Sequence, residues 1–132
     1  MKKRFWYFFS LWLLMIGLGL LSRSSWVNLP EEVDFFLGDT IWGSMVFFFM
    51  GTLFPYWSYA KITSAALVFA YLVEFSQLIK HDFLMYLRSF KLIALVIGHD
   101  FSVADLLFYS IGIGLALGVT LYVDSRLSLS LK

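Results

Sequence analysis

The chain has 132 residues, 61% of them hydrophobic and 20% aromatic, and its mean hydropathy is +0.82. A soluble domain of this size is closer to half apolar, so the composition is that of an integral membrane protein, and the length allows one domain. A formal net charge of +1 with no basic face gives no case for nucleic acid, and the absence of cysteine removes disulfide and thiolate chemistry.

Lys2-Lys3-Arg4 opens an apolar run over 5–21. A basic start before a long aromatic-rich run predicts a first transmembrane helix with a cytoplasmic beginning. The alternative is a secretory signal peptide, but Ser22-Arg23-Ser24 is a poor cleavage site and the run is longer than a usual signal core. Gly17 and Gly19 thin this helix for close contact. Residues 22–34 are polar and read as an outer loop with Trp26 as an interfacial anchor.

The second span is expected over 35–54, because Pro55 ends it and a crossing needs ~20 residues. That length takes in Asp39, either as an acid inside the span or as the cap that begins it. A short turn rich in interfacial aromatics, Pro55 to Lys61, leads to a third span over 62–79, which holds Glu74 and Gln77. These two are three apart and share a helix face with Tyr71 and Leu78. The stretch 80–102 holds Lys80, His81, Asp82, Arg88, Lys91, His99 and Asp100 between two apolar pieces too short to cross. It reads as an interfacial or re-entrant segment. The last span is expected over 103–123, with Asp105 in its first turn. Ser110, Gly114 and Gly118 form a small-residue stripe that predicts a helix contact within the bundle or between copies of the chain, and Gly112 widens it.

The predicted fold is thus all-α, an integral membrane four-helix bundle with a short interfacial or re-entrant segment between helices 3 and 4. Four spans place both termini on one side. With the ends cytoplasmic, Lys2, Lys3, Arg4, Lys61, Arg126 and Lys132 lie inside and Arg23, Lys80, Arg88 and Lys91 outside, a modest positive-inside bias. The expected location is the cell membrane, multi-pass. In this frame Asp39, Glu74, Gln77, Arg88 and Asp105 all come to the outer level, and the inner half shows no comparable set.

Charged groups facing lipid cost roughly 3 kcal/mol or more each, so these residues are expected to turn inward and share partners. Four readings follow. The set is a structural ion-pair cluster, with Arg23 or Arg88 and Gln77 tying the acids. Or it is a binding site in which Arg88, with Arg23, grips a phosphate or carboxylate of a membrane lipid or cell-wall precursor. Or paired acids act as acid and base in an enzyme, although no nucleophile motif or phosphate loop is present. Or Glu74 titrates in a proton-coupled carrier. His81-Asp82 and His99-Asp100 match no helical metal motif, so neither metal nor cofactor is expected.

The same residues carry a resemblance. Leu18-Gly19-Leu20-Leu21-Ser22-Arg23, Leu37-Gly38-Asp39-Thr40-Ile41-Trp42, Glu74-Phe75-Ser76-Gln77-Leu78, Arg88, Val96-Ile97-Gly98-His99-Asp100-Phe101, and Asp105-Leu106-Leu107-Phe108-Tyr109 with Gly112 occur in that order. Together they resemble the domain-of-unknown-function 2809 family of small bacterial membrane proteins, itself distantly similar to VanZ-like proteins. Some members bear a ribosomal-maturation (YjgA-like) label, which these residues do not support. The resemblance implies an integral protein of the cell envelope; the lipid or lipid-linked envelope precursor belongs to the binding reading of the acids and Arg88. Arg23, His81 and Tyr109 are expected as accessory residues of the same site. Asp82-Phe83 and Ala94 depart from the family pattern, which implies a different ligand preference in the outer loop.

Overall fold

The computed structural model describes residues 2–22, 30–76, 86–87, 89–90 and 103–127. Among these the regular structure is helical: α1 (Lys2–Ser22), α2 (Glu31–Leu53), α3 (Tyr59–Ser76) and α4 (Val103–Leu127). The protein is an all-α bundle, as the hydropathy pattern predicts. Helices α1, α2 and α4 each contain a stretch long and apolar enough to cross a membrane, and the protein is membrane-embedded. Helix α3 is not among those three. Its 18 described residues rise about 27 Å, and it carries Lys61 near one end and Glu74 near the other.

Helix α2 is the centre of the bundle. It packs against α1, α3 and α4, and α3 also packs against α4. A short turn through Phe54–Ser58 makes α2 and α3 an antiparallel hairpin. Phe54 N–H closes the end of α2 on Met50 O at 2.9 Å, and Trp57 N–H returns to Phe54 O at 3.1 Å. The Trp57 ring stacks on Phe54 at 4.0 Å. Pro55 stops the helix as its sequence position predicts, since it has no amide hydrogen to donate and clashes with the preceding turn.

Lipid and a leucine side chain are equally apolar, so helices in a membrane associate through close packing and hydrogen bonds. Two glycines make the α2–α4 crossing. A Cβ on Gly112 would collide with Thr40 O and meet Ser44 N at 3.1 Å, and one on Gly43 would collide with the Tyr109 backbone. Ser44 donates from its hydroxyl to Gly112 O at 2.8 Å across this contact. The α1–α2 contact is built on Gly51, which receives the Phe8 ring. Helix α3 presents a narrow stripe, Ile62, Ala66, Ala70 and Glu74, spaced by four and buried along its length.

Several boundaries and contacts differ from the sequence-based expectation. Helix α2 begins at Glu31, a turn earlier than expected, so Asp39 lies two turns inside it and does not cap it. Acidic residues suit that first turn because the helix dipole is positive there. Helix α4 runs through Asp124, beyond the expected end of the last span. Of the small-residue stripe, Ser110 engages α3, accepting or donating a hydrogen bond with Tyr71 OH at 2.7 Å. Gly114 and Gly118 are exposed, and a Cβ on either would meet nothing within 4 Å. The packing glycine is Gly112, on a different face of α4. Gly17 likewise faces open space, whereas Gly19 lies against Ile41. The interfacial or re-entrant segment expected at 80–102 falls outside the described residues, apart from four positions at its middle.

Candidate functional site

Glu74 stands in the last turn of α3, on the Ile62–Ala66–Ala70 stripe, and is 0% exposed. The stripe dictates this position. Two alanines let α3 lie close to α2 and α4, and the next residue on the same face is the acid. Opposite it on α4 is Tyr109, 7% exposed, whose phenol lies beside the Glu74 carboxylate. The phenol also lies within electrostatic reach of Asp39 and Asp105. Asp105 is one turn before Tyr109 on α4, and both Asp39 and Asp105 are half-buried. Three carboxylates from three helices therefore surround one tyrosine at this end of the bundle.

The tyrosine is held rigidly. Its backbone abuts Gly43, and its ring lies 4.5 Å from the Trp42 ring, which stacks in turn on Phe69 at 6.4 Å. Asp39, Thr40 and Trp42 occupy one turn of α2. The Thr40 hydroxyl and the Trp42 indole N–H are buried and have no hydrogen-bond partner among the described residues. A buried unpartnered donor costs roughly 1–3 kcal/mol; among the described residues Arg4 Nε, Tyr59 OH and Thr63 Oγ1 are buried and unpartnered too.

Of the residues expected at this level, the structure brings together Asp39, Glu74, Asp105 and Tyr109. Gln77, Arg88, Arg23 and His81 lie outside the described residues. Tyr71, expected on the Glu74 face, sits on its exposed flank and turns to Ser110 instead. Among the described residues no group of three or more metal-ligating side chains is assembled.

A second polar cluster, which sequence reasoning misses, lies at the opposite end. Arg4 is only 5% exposed. Its guanidinium donates to Trp57 O at 3.0 Å and lies over the Tyr59 ring at 4.5 Å. The Tyr59 phenol faces the Asp124 carboxylate, and Tyr7 OH pairs with Thr120 Oγ1 at 3.0 Å. Helices α1, α3 and α4 and the α2–α3 turn all meet here. The sequence signal is ambiguous: Arg4 follows two lysines and reads as part of a topogenic run, yet its side chain points into the bundle. Between the two polar ends lies a dry belt of Phe8, Val46, Phe47, Ile62 and Ile113, all essentially inaccessible.

Residues 28–113 match the model of a family described as "Protein of unknown function (DUF2809)". The chain belongs to that family. The DUF2809 stretch contains α2, α3 and the first part of α4, so it includes Asp39, Glu74, Asp105 and Tyr109 and the Gly43–Gly112 crossing that positions them. Helix α1 and the Thr120–Asp124 part of α4 fall outside it, and with them most of the Arg4 cluster. No solved structure matches this DUF2809 chain.

Proposed function

We propose that this DUF2809 protein is a membrane-embedded binding protein, and that it holds the polar headgroup of a lipid or lipid-linked envelope precursor where Asp39, Glu74 and Asp105 surround Tyr109. The observation that carries the reading is a wholly buried carboxylate, Glu74, together with buried donors on Thr40 and Trp42, in the Asp39 turn of α2, that no described side chain satisfies. In this reading the carboxylates accept hydrogen bonds from hydroxyl or ammonium groups of the headgroup. Thr40 and Trp42 donate to its oxygens. Gln77 and Arg88, which follow Glu74 closely in sequence, add an amide and a guanidinium, and the planar fork of Arg88 suits a phosphate. The same reading puts this end at the outer leaflet of the cell membrane, with four passes and both termini cytoplasmic. The basic residues at the Arg4 end support that orientation.

Two competing readings fit less well. A proton-coupled carrier needs a polar route between its two faces, and the Phe8–Phe47–Ile62–Ile113 belt separates the clusters by several apolar layers. An enzyme needs an activated nucleophile or a paired acid and base aimed at one reacting atom, and the described carboxylates converge on a phenol.

Glu74→Gln tests the proposal, because it keeps shape and removes the charge. The variant is expected to fold with an unchanged melting temperature and to lose a class of co-purifying polar lipid that the wild type retains in native-lipid discs. A large loss of stability in Glu74→Gln, partly restored by also replacing Arg88, would instead make the cluster a structural ion-pair network.

A further inference from the structure

From the Arg4 end, a shallow, open-sided groove of about 780 Å³ runs along one face of α3. Its described lining includes Trp57, Ala65, Val68, Phe69 and Leu72, with Lys61 near the Trp57 end of α3. We infer that this groove holds one acyl chain of an anionic glycerophospholipid, with the Lys61 ammonium on the lipid's phosphate. The site is separate from the Glu74 cluster and does not depend on the function proposed for it.

Three observations lead there. The first is length. From Lys61 to Leu72 the helix rises roughly 16 Å, about the depth of one leaflet of a bilayer whose hydrocarbon is ~30 Å thick. The second is polarity. Beyond Lys61 the walls are apolar or silenced, since Ser64 turns its hydroxyl back to Ala60 O at 2.8 Å. A polar ligand finds no partner deep in the groove, and a hydrocarbon chain needs none. Small residues, Ala60 and Ala65, form the recess, and the Trp57 and Phe69 rings stand beside it. The third is a preformed mouth. Trp57 is stacked on Phe54, and its carbonyl is gripped by the buried Arg4, so the indole wall is fixed before any lipid arrives. Lys61 is exposed, so its long side chain can carry the ammonium to the interface. Charge decides the class of lipid. Lys3 and Lys61 are exposed cations at this end of the bundle, and an ammonium at the membrane surface favours anionic over zwitterionic headgroups.

Native mass spectrometry of the full-length protein, titrated with phosphatidylglycerol and phosphatidylcholine of identical chains, tests this. The wild type is expected to retain phosphatidylglycerol over phosphatidylcholine. Lys61→Gln should weaken that retention about fivefold, and Lys61→Arg should preserve it. Val68→Trp, which fills the groove, should lower retention of the lipid, whereas Val119→Trp at an exposed site on α4 should leave it unchanged. Equal retention of both lipids by the wild type, no loss in Lys61→Gln, or an equal loss in Lys3→Gln would overturn the assignment. So would equal effects of the two tryptophan substitutions.

Discussion

The α2–α4 crossing should fail when Gly112 gains a single methyl group. A Cβ there lies 2.9 Å from the Thr40 carbonyl carbon and collides with its oxygen, whereas ordinary contact begins near 3.4 Å. The obstructing atoms are backbone, which has no rotamer to change. The two helices must therefore part by at least ~0.5 Å at the carbonyl carbon. That movement also lengthens the Ser44–Gly112 hydrogen bond, now 2.8 Å. Overpacking of a tight contact costs typically about 1–3 kcal/mol, and an interhelical hydrogen bond in a membrane about 0.6 kcal/mol. Gly112→Ala is thus expected to destabilise the bundle by about 2–3 kcal/mol. Gly114→Ala, two residues away with nothing within 4 Å, should cost nothing and add a little helix propensity. Reversible unfolding in mixed micelles, followed by tryptophan fluorescence, measures both. Equal stabilities for the two variants, or a larger loss for Gly114→Ala, would refute the assignment of Gly112 as the packing glycine.

Further outcomes follow from the Arg4 end and from topology. Arg4→Lys keeps the charge but loses the planar stack over Tyr59, and it should destabilise the bundle by about 1 kcal/mol in the same unfolding assay. Tyr7→Phe removes only the bond to Thr120 and should cost about 0.6 kcal/mol, so a larger loss than in Arg4→Lys would show that the phenol, not the guanidinium, secures this end of the bundle. A reporter fused after Lys132 should be active only when it functions in the cytoplasm, and activity confined to the opposite side would refute the proposed orientation.

Much of the fold is legible in the sequence because run length and Pro55 are strong signals. They bound helix α1 and the core of α2, and run length also marks the start of α4. The beginning of α2 is harder to read, since Glu31, Glu32 and Asp34 look like loop residues by polarity although acids favour a helix start. Within one chain the small stripe is a helix contact at Ser110 and not at Gly114 or Gly118. Spacing by four marks Ser110, Gly114 and Gly118 equally, and only the rotation of α4 about its axis decides that Gly112 meets Thr40. Topology alone collects the acids Asp39, Glu74 and Asp105, and the structure sets them around Tyr109. The Arg4 cluster is invisible for the opposite reason. A terminal Lys-Lys-Arg run announces sidedness so well that nothing in composition separates the one side chain that turns inward. The Ile62–Ala66–Ala70–Glu74 stripe is present in the sequence, and its two alanines tell more about where Glu74 points than Gln77 does.

The most direct test of the headgroup-binding account is a high-resolution cryo-electron microscopy map of the full chain in discs formed from its native membrane. The account predicts density for a polar headgroup within hydrogen-bonding distance of Glu74 or Asp39, beside the Tyr109 hydroxyl and the Trp42 indole N–H. A dry cluster in which Asp39, Glu74 and Asp105 are satisfied by protein groups alone, with Thr40 and Trp42 bonded to other protein groups, would contradict it.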